Sequence, residues 1–457
     1  MSTSHRMTPL ELRASLSLAG VFGLRLLGMF IILPVFALYA EQLRGGDDHT
    51  LIGLALGAYG LTQAVLQIPF GSLSDRWGRK KTIYLGLLIF AAGSFTAAVA
   101  QDIHVVILGR VIQGAGAISA AVMALAADLT RDEQRTKAMA IIGVTIGVAF
   151  ALSMVGGPVL NRWIGVPGIF ALTGLLALFA IAIVRFVVPA PAMAVPVSGI
   201  ASRVRFIDIL RHPQLLRLNY GIFILSAVLM ALWVVVPFEL RAAGLPGDSH
   251  WQIYLPVMVM SVVLMVPPML ISERWGRQKT VFLAAIGILL VAQLLLAGLW
   301  SSLWGLALAL LVFFTGFNYL EASLPSMISR TAPPEARGAA VGVYSSAQFL
   351  GSFVGAWVGG AISQHLGFSS VFAFCAALTL SWLIVAVGMK QLPGLRTRTY
   401  PVPKMDSAGA EGLSRRLAGV AGVREALVFA SEGVAYLKVD STRFDERNVL
   451  KLLSGEV

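Results

Sequence analysis

Twelve apolar runs of about twenty residues or more follow one another along the chain, separated by shorter polar connections. An apolar run of this length crosses the ~30 Å hydrocarbon core of a bilayer as a single helix. The composition agrees, because 57% of the residues are hydrophobic and only 13% are charged, which excludes an ordinary soluble protein. The sequence therefore predicts an all-α polytopic membrane protein. The predicted spans are residues 16–40, 51–72, 82–101, 104–127, 137–160, 168–189, 215–240, 251–271, 280–299, 303–329, 338–363 and 369–389.

Basic residues are distributed unequally between the connections on the two sides of the predicted membrane. With the N-terminus inside, the inner connections hold fourteen Lys and Arg residues, and the outer ones hold only Arg44, Arg162 and Arg241. Basic residues mark the cytoplasmic side of a membrane protein, so both termini are predicted to be cytoplasmic. The net charge of +12 is thereby explained by membrane topology and not by nucleic-acid binding.

The connection at residues 71–80 reads GSLSDRWGRK and joins the second and third runs. Gly71 and Asp75 are four residues apart, so they share one helix face, where a glycine lets a neighbouring helix approach closely. Asp75 is then placed to interact with the positive N-terminal end of that neighbour. The alternative is a basic loop that only sets topology. The full spacing of the pattern favours a functional role in addition to topology.

The two halves of the chain are related in sequence. Residues 75–82, DRWGRKKT, recur as ERWGRQKT at residues 273–280, a shift of 273 minus 75, or 198. A duplicated six-span unit produces such a match, and it predicts parallel repeats about an axis along the membrane normal. The predicted domains are an N-terminal six-helix bundle at 1–190, a cytoplasmic linker with an amphipathic helix at 191–213, and a C-terminal six-helix bundle at 214–390.

The 71–80 pattern resembles the signature between the second and third helices of the major facilitator superfamily of transporters. A second pattern, Arg110-x-x-Gln113-Gly, resembles the Arg-x-x-Gln-Gly motif of that family's fourth helix. The resemblance implies the major facilitator fold of twelve transmembrane helices in two bundles, in a bacterial inner membrane. It also implies secondary transport of the proton-coupled efflux type.

The same resemblance implies a conformational latch at the cytoplasmic side, which closes in the outward-open state. Within it, Arg79 is expected to contact Asp128, and Asp75 is expected to face the start of the eleventh span near Gly338. The latch residues are Gly71, Asp75, Arg76, Gly78, Arg79 and Asp128.

Three ionisable residues, Arg25, Arg110 and Glu321, fall inside predicted spans. Charges there are costly and point to function, so we assign all three to proton coupling. Glu321 is the predicted proton carrier, because a carboxyl group can be neutral when loaded and charged after release. The alternatives are that Arg110 extends to the outer surface and that Glu321 forms a structural ion pair with Arg25.

A substrate cavity is predicted from polar and aromatic residues of the inner spans, namely Gln113, Trp233, Phe317 and Asn318. Aromatic residues at helical spacing are more often core, which is the alternative for two of the four. Small residues recur every four positions in two spans and suggest faces on which the bundles rock, although ordinary static packing explains them equally well. These are Gly143, Gly147 and Ala151, and Gly351, Gly355 and Gly359.

Hydropathy falls sharply after Lys390. Residues 391–410 contain several prolines and are predicted as a stiff linker. Residues 411–457 resemble a small α+β ferredoxin-like domain of the heavy-metal-associated type, with a first strand that could begin at 397. This region has no Cys and no His, so no metal or other cofactor is predicted. So small a module has a marginal core, which makes self-association through it plausible.

These observations predict a transporter that exports small amphipathic compounds in exchange for protons by alternating access. Its predicted partners are the lipid bilayer, a small-molecule substrate and protons. The alternative is a membrane sensor that binds a ligand and signals through its C-terminal domain without net transport. An enzyme is not predicted, because no nucleophile, metal set or phosphate-binding loop is recognisable.

Overall fold

The structure is a computed structural model. It describes residues 7–189, 211–274, 276–299, 302–332, 337–390, 395–403, 405–429, 433–440 and 444–454. The amphipathic helix predicted within the 191–213 linker lies almost wholly outside the described residues. The chain divides into two compact units, Met1–Met265 with Leu283–Gly388, and Val266–Phe282 with Met389–Val457.

The first half of the membrane region, residues 7–189, is built mainly of helices. Its first helix begins at a capping box, in which the Thr8 hydroxyl accepts from the Glu11 amide and the Glu11 carboxylate accepts from Thr8. Its last helix contains two predicted spans and is interrupted at Gly165, whose φ of 65° is outside the helical region. The helices are α1 Pro9–Phe30, α2 Leu33–Ala40, α3 His49–Trp77, α4 Arg79–Ala98, α5 Ile103–Ala115, α6 Ser119–Asp128 and α7 Asp132–Phe186.

The second half, residues 211–390, contains six long helices. They are α8 Pro213–Ala242, α9 Trp251–Arg274, α10 Gln278–Leu299, α11 Leu303–Thr331, α12 Arg337–Leu366 and α13 Phe368–Val387. Among the described residues, ten helical stretches are long and apolar enough to cross a membrane. One of the ten contains the break at Gly165, and α12, at 30 residues, is not among them. With those two adjustments, the observed helices cover all twelve predicted spans.

The duplicated connection requires a glycine in both copies. Gly78 is the single residue between α3 and α4, and its φ is 105°. Gly276 occupies the corresponding position in the second copy, and its φ is 65°. Residues with a side chain rarely adopt positive φ, so both glycines are explained by the sharp turn between successive helices.

Helices α3 and α12 join the two halves through direct backbone contact. A Cβ atom added at Gly53, Gly57 or Gly60 of α3 would lie 2.1, 2.9 or 2.6 Å from a backbone oxygen of α12. The contact does not extend along the whole of α12, because a Cβ at Gly338 or Gly342 would meet no described atom within 4 Å. The halves are therefore joined at the end of these helices where α3 begins. We call it the outer end, after the predicted topology.

The two small-residue faces predicted to let the bundles rock have other surroundings. A Cβ at Gly351 or Gly355 would lie 2.2 or 2.0 Å from backbone oxygens of α8, which belongs to the same half. This face is static packing, as the alternative interpretation held. At Gly143 and Gly147 an added Cβ would meet nothing within 4 Å. The glycines that join the halves are those of α3, which the sequence analysis did not single out.

The C-terminal region of the second unit is a small α+β domain. Its three described strands form an antiparallel sheet in the order β1-β3-β2, so β3 is central. β1 begins inside the segment predicted as the 391–410 linker, so the sheet is longer in sequence than the predicted domain. The elements are β1 Leu395–Pro401, α14 Ser407–Ala418, β2 Val423–Phe429, β3 Val434–Asp440 and α15 Glu446–Ser454.

The side-chain pattern of β2 differs from simple alternation. In a regularly alternating strand Val423 and Leu427 would share one face, but Leu427 is exposed whereas Ala426 is buried in the domain core. The pairing of β2 with β3 shifts between Val423 and Glu425, and such an irregularity reverses which side chains face inward. On α14, Leu417 is fully buried and Leu413 packs against the same core.

Substitution Gly53→Ala should destabilise the protein, because the new methyl group cannot fit beside the α12 backbone. Overpacking of this kind costs about 1–3 kcal/mol. Gly143→Ala is the matched control, since that site has free space and alanine favours the helix by about 1 kcal/mol. Thermal unfolding of the purified protein, followed by tryptophan fluorescence, should show a lower melting temperature for Gly53→Ala only. A melting temperature of Gly53→Ala equal to that of Gly143→Ala and of the parent protein would contradict the backbone contact.

Candidate functional site

Arg25 of α1 lies in the interior of the first half. Its side chain is only 2% exposed. One guanidinium nitrogen donates to the Ser119 hydroxyl at 2.8 Å and another donates to the Tyr59 hydroxyl at 2.9 Å. These acceptors come from α6 and α3, so Arg25 connects three helices. Its Nε atom is buried and has no hydrogen-bond partner among the described residues.

Arg110 of α5 is buried equally well, at 2% exposure. It donates to the Gln113 side-chain oxygen at 2.6 Å and makes two longer contacts of 3.4 Å with backbone oxygens of Ala55 and Leu56. Its guanidinium carbon lies 5.0 Å from the centre of the Tyr59 ring, a cation–π geometry. The alternative that Arg110 extends to the outer surface is therefore wrong.

Tyr59 connects the two arginines and was missed by the sequence analysis. Its hydroxyl accepts from Arg25, and its ring faces Arg110. No carboxylate is paired with either arginine among the described residues. A tyrosine in the middle of an apolar span is the signal that could have identified it, because a buried phenol usually needs a polar partner.

Glu321 of α11 is half-buried and faces the neighbouring helix α12. Its carboxylate accepts a hydrogen bond from the Gln348 side-chain amide at 3.0 Å. The alternative ion pair with Arg25 is not observed, because Arg25 donates to Ser119 and Tyr59 instead. The carboxyl group is thus inside the protein in the second half, while both buried arginines are in the first.

A second carboxyl group within a predicted span is buried, and it was not predicted. Glu239 lies near the end of α8 and is 2% exposed. It is the next-to-last residue of the predicted span 215–240, where a single acidic residue at the margin of an apolar run is easily taken for the end of the span. Burial of an ionisable side chain in a membrane helix makes it a second candidate for proton binding.

The four predicted cavity residues do not come together. Gln113 is fully buried in the first half, where its amide also donates to Ser94 at 2.8 Å. Trp233 is fully buried in the second half and packs edge-on against Tyr254. In this arrangement both residues belong to helix packing.

The other two cavity residues lie on α11. The ring centre of Phe317 is 6.0 Å from that of Phe150 on α7, so Phe317 contacts the opposite half. Asn318 is partly exposed and donates to the Ser261 hydroxyl at 3.0 Å. Asn318 and Glu321 therefore form the partly accessible polar surface of this helix.

Arg79 organises the predicted latch. Its Nε donates to the Asp128 carboxylate at 3.0 Å, so the expected contact is present. The same guanidinium donates to the Ser74 hydroxyl at 2.7 Å and to the Asp75 carboxylate. All of these residues belong to the first half, so the cluster forms without any contribution from the second.

Two other latch expectations are not met in this arrangement. Asp75 pairs with Arg79, and within the described part of the chain it makes no ion pair with the start of α12 near Gly338. At Gly71 an added Cβ would make only an ordinary 3.5 Å contact with Ala120, so no close helix approach depends on this glycine here. Arg76 is exposed and Gly78 forms the turn. The physical reason is that the halves are joined at the opposite, outer end of the helices.

A polar cluster borders the joined outer end and was also missed. Arg241, at the end of α8, donates twice to the carboxylate of Glu41, just after α2, at 2.6 and 3.0 Å. The rings of His49, Phe238 and Phe368 lie nearly parallel, with centres 5.0–5.6 Å apart. These contacts join α2 and α3 of the first half to α8 and α13 of the second. The sequence of one span does not indicate which outer connections contact each other, so this cluster could not be predicted.

Long apolar helices that enclose buried charges, with a duplicated basic connection, define a polytopic membrane transporter. The family model of the Major Facilitator Superfamily matches residues 18–272 and 257–431, and the chain belongs to that superfamily. The chain is 43% identical to the inner membrane transport protein YajR of Escherichia coli strain K12 over 439 residues, which cover 96% of each chain.

Two further comparisons agree with this family assignment. It is 26% identical to the quinolone resistance protein NorA of Staphylococcus aureus, over 74% of this chain and 86% of that one. The crystal structure of a D-xylose–proton symporter superposes with a TM-score of 0.65 at 15% identity, over 83% of this chain and 98% of the other. The second likeness concerns the fold alone.

The Glu41–Arg241 pair should make the joined outer end sensitive to acid. Hydrogen bonding to Arg241 lowers the pKa of Glu41 below its ordinary 4.5. The carboxylate therefore stabilises the joined arrangement above pH 4.5, and this contribution is lost as the pH falls through the lowered pKa. A distance measured between spin labels across the outer end should lengthen in this acid range.

Glu41→Gln should lose the acid response, because the amide does not titrate. Asp248→Asn is the control, since it removes an exposed carboxyl from the neighbouring 243–250 connection while keeping the pair. Retention of the full acid response in Glu41→Gln would show that another group is responsible.

Proposed function

We propose that the protein is a proton-coupled secondary transporter that exports small amphipathic compounds from the cell. The observation that carries the proposal is the half-buried carboxyl group of Glu321, which accepts a single hydrogen bond from Gln348. A carboxyl group in a membrane helix binds a proton when it is shielded from water and releases it when water reaches it. Asn318, one helical turn away, is also partly exposed, and we take this side of α11 as the one from which water would reach Glu321.

Alternating access is supported by the way the two halves meet. The halves, proposed as six-helix bundles over 1–190 and 214–390, contact each other along the outer part of α3 and α12. With the termini in the cytoplasm, this arrangement is closed to the outside. In the opposite arrangement the latch would close at the inner end, with Asp75 released from Arg79 to face the start of α12.

The direction of transport is supported by relatives. One is named a quinolone resistance protein, and export of the compound is a way in which a membrane transporter can give resistance. Another is an inner membrane transport protein with nearly the same extent as this chain, which supports the inner membrane as the location. The proposal that both termini are cytoplasmic rests on the distribution of basic residues between the connections. The small C-terminal domain is proposed to associate with a second copy of itself.

The proposal is tested by reconstituting the purified protein in liposomes with an imposed pH gradient. Transport of a fluorescent amphipathic cation such as ethidium should require the gradient. Glu321→Gln should reduce this transport to the rate of protein-free vesicles, because the amide cannot carry a proton. Glu411→Gln, in the exposed helix α14, is the control and should retain the parent rate.

Glu239→Gln distinguishes the two buried carboxyl groups. We expect this variant to retain gradient-driven transport, because Glu239 lies at the joined outer end and not beside the partly accessible surface of α11. If Glu239→Gln lost transport and Glu321→Gln kept it, the proton carrier would be Glu239 and not Glu321. Binding of ethidium without movement in any gradient would favour the sensor.

A further inference from the structure

Tyr59 is the only residue among those described above that contacts both buried arginines and the opposite half. Its hydroxyl accepts from Arg25 at 2.9 Å, and its ring lies beneath Arg110 at 5.0 Å. The ring also meets Phe349 of α12 edge to face, with centres 6.3 Å apart. The side chain is 3% exposed, so these contacts lie in the interior of the protein.

The chemistry of a phenol suits this position. The face of the ring is the negative end of its quadrupole, and the hydroxyl oxygen carries lone pairs. One neutral side chain can therefore offer an attractive surface to two cations that repel each other. Arg25 depends strongly on it, because its Nε atom already lacks a partner and its remaining acceptor is Ser119.

The contact with Phe349 lies at the inner limit of the contact between the halves. Gly60, the next residue after Tyr59, is where an added Cβ would meet the backbone oxygen of Phe349 at 2.6 Å. Tyr59 is thus rigidly connected to the part of α3 that separates from α12 when the outer end opens. Movement of α3 would change the phenol's position relative to α1 and α5, which hold the arginines.

We propose that Tyr59 is a positioning residue that connects the arrangement of the two buried guanidinium groups to the contact between the halves. Its hydroxyl and ring face orient Arg25 and Arg110. Its ring edge contacts Phe349 of α12 only while the two halves are joined at this point. The consequence for proton-driven flux rests on the proposed function, whereas the connection to α12 can be measured without any substrate.

Two variants separate the hydroxyl from the ring. Tyr59→Phe removes the acceptor of Arg25 but keeps the ring for Arg110 and Phe349. Tyr59→Leu removes the ring as well. Tyr220→Phe is the matched control, because it removes a tyrosine hydroxyl that bonds Ser381 at 2.7 Å, within the second half.

The first measurement is the distance between spin labels on cysteines introduced at Asp47 and Asp248, two exposed positions at the outer end. The labels are placed in a Cys375→Ala background. Tyr59→Phe and Tyr220→Phe should retain the short distance of the joined arrangement. Tyr59→Leu should lose part of the short-distance population, because the edge contact with α12 is gone.

Phe349→Leu removes the same contact from the other side and should reproduce the loss seen in Tyr59→Leu. The double variant should show no greater loss than either single one, since both remove one contact. This pair keeps the test decisive if a change at Tyr59 alone prevents folding. An unchanged distance in both Tyr59→Leu and Phe349→Leu would overturn the link between Tyr59 and the opposite half.

The second measurement is gradient-driven ethidium transport in the liposomes described above. Tyr59→Phe should lose this transport although its outer-end distances are those of the parent, whereas Tyr220→Phe should retain it. A purely structural role would change melting temperature without this difference. Parent-like transport by Tyr59→Phe would overturn the positioning role. If the parent itself moves no ethidium, the proposed function fails and the distance measurements still decide the connection.

Discussion

The arrangement of the first half depends on the cost of placing charge where water cannot reach it. A guanidinium inside a membrane bundle has to replace its hydration with hydrogen bonds and aromatic contacts from neighbouring helices. Arg25 and Arg110 obtain these from α3 and α6 and from the next turn of α5. For an apolar side chain in a membrane, the free energy differs little between an apolar protein neighbour and lipid. The buried cations therefore select which helices are neighbours and at what height they meet.

Helix α3 serves both this polar interior and the contact between the halves. One of its faces presents Tyr59 to the arginines, and another presents Gly53, Gly57 and Gly60 to the backbone of α12. The glycine contact is van der Waals packing, so its separation exposes no buried ion pair. The Glu41–Arg241 pair beside it is partly exposed and can be rehydrated. The contact between the halves is therefore closely packed when it is formed, and forming it again requires little desolvation of polar groups.

The sequence was sufficient for the spans, the duplicated connection, the burial of two arginines and the Arg79–Asp128 contact. The first three depend on a local signal, such as run length, a repeated octapeptide or a charge inside an apolar run, whereas the Arg79–Asp128 contact was expected from the family resemblance. Tyr59, the α3 glycines and the Glu41–Arg241 pair could not be obtained in this way. A span shows the depth of a residue but not which helix faces it, and the partners here are distant in sequence. In the C-terminal domain, the exposed Leu427 depends on a register shift that alternation cannot reveal.

Duplication did not preserve the buried charges. At the 198-residue offset of the repeated connection, Arg25 and Arg110 correspond to Phe223 and Leu308, and Glu321 corresponds to Met123. The halves share a helical framework, but the first holds cations in its interior and the second holds carboxyl groups. In the proposed cycle the guanidinium groups stay charged while protonation neutralises a carboxylate. Each proton then weakens the electrostatic attraction between a carboxylate of the second half and the cations of the first. In that proposed cycle, the asymmetry within a duplicated framework is what would let a proton act on the contact between the halves.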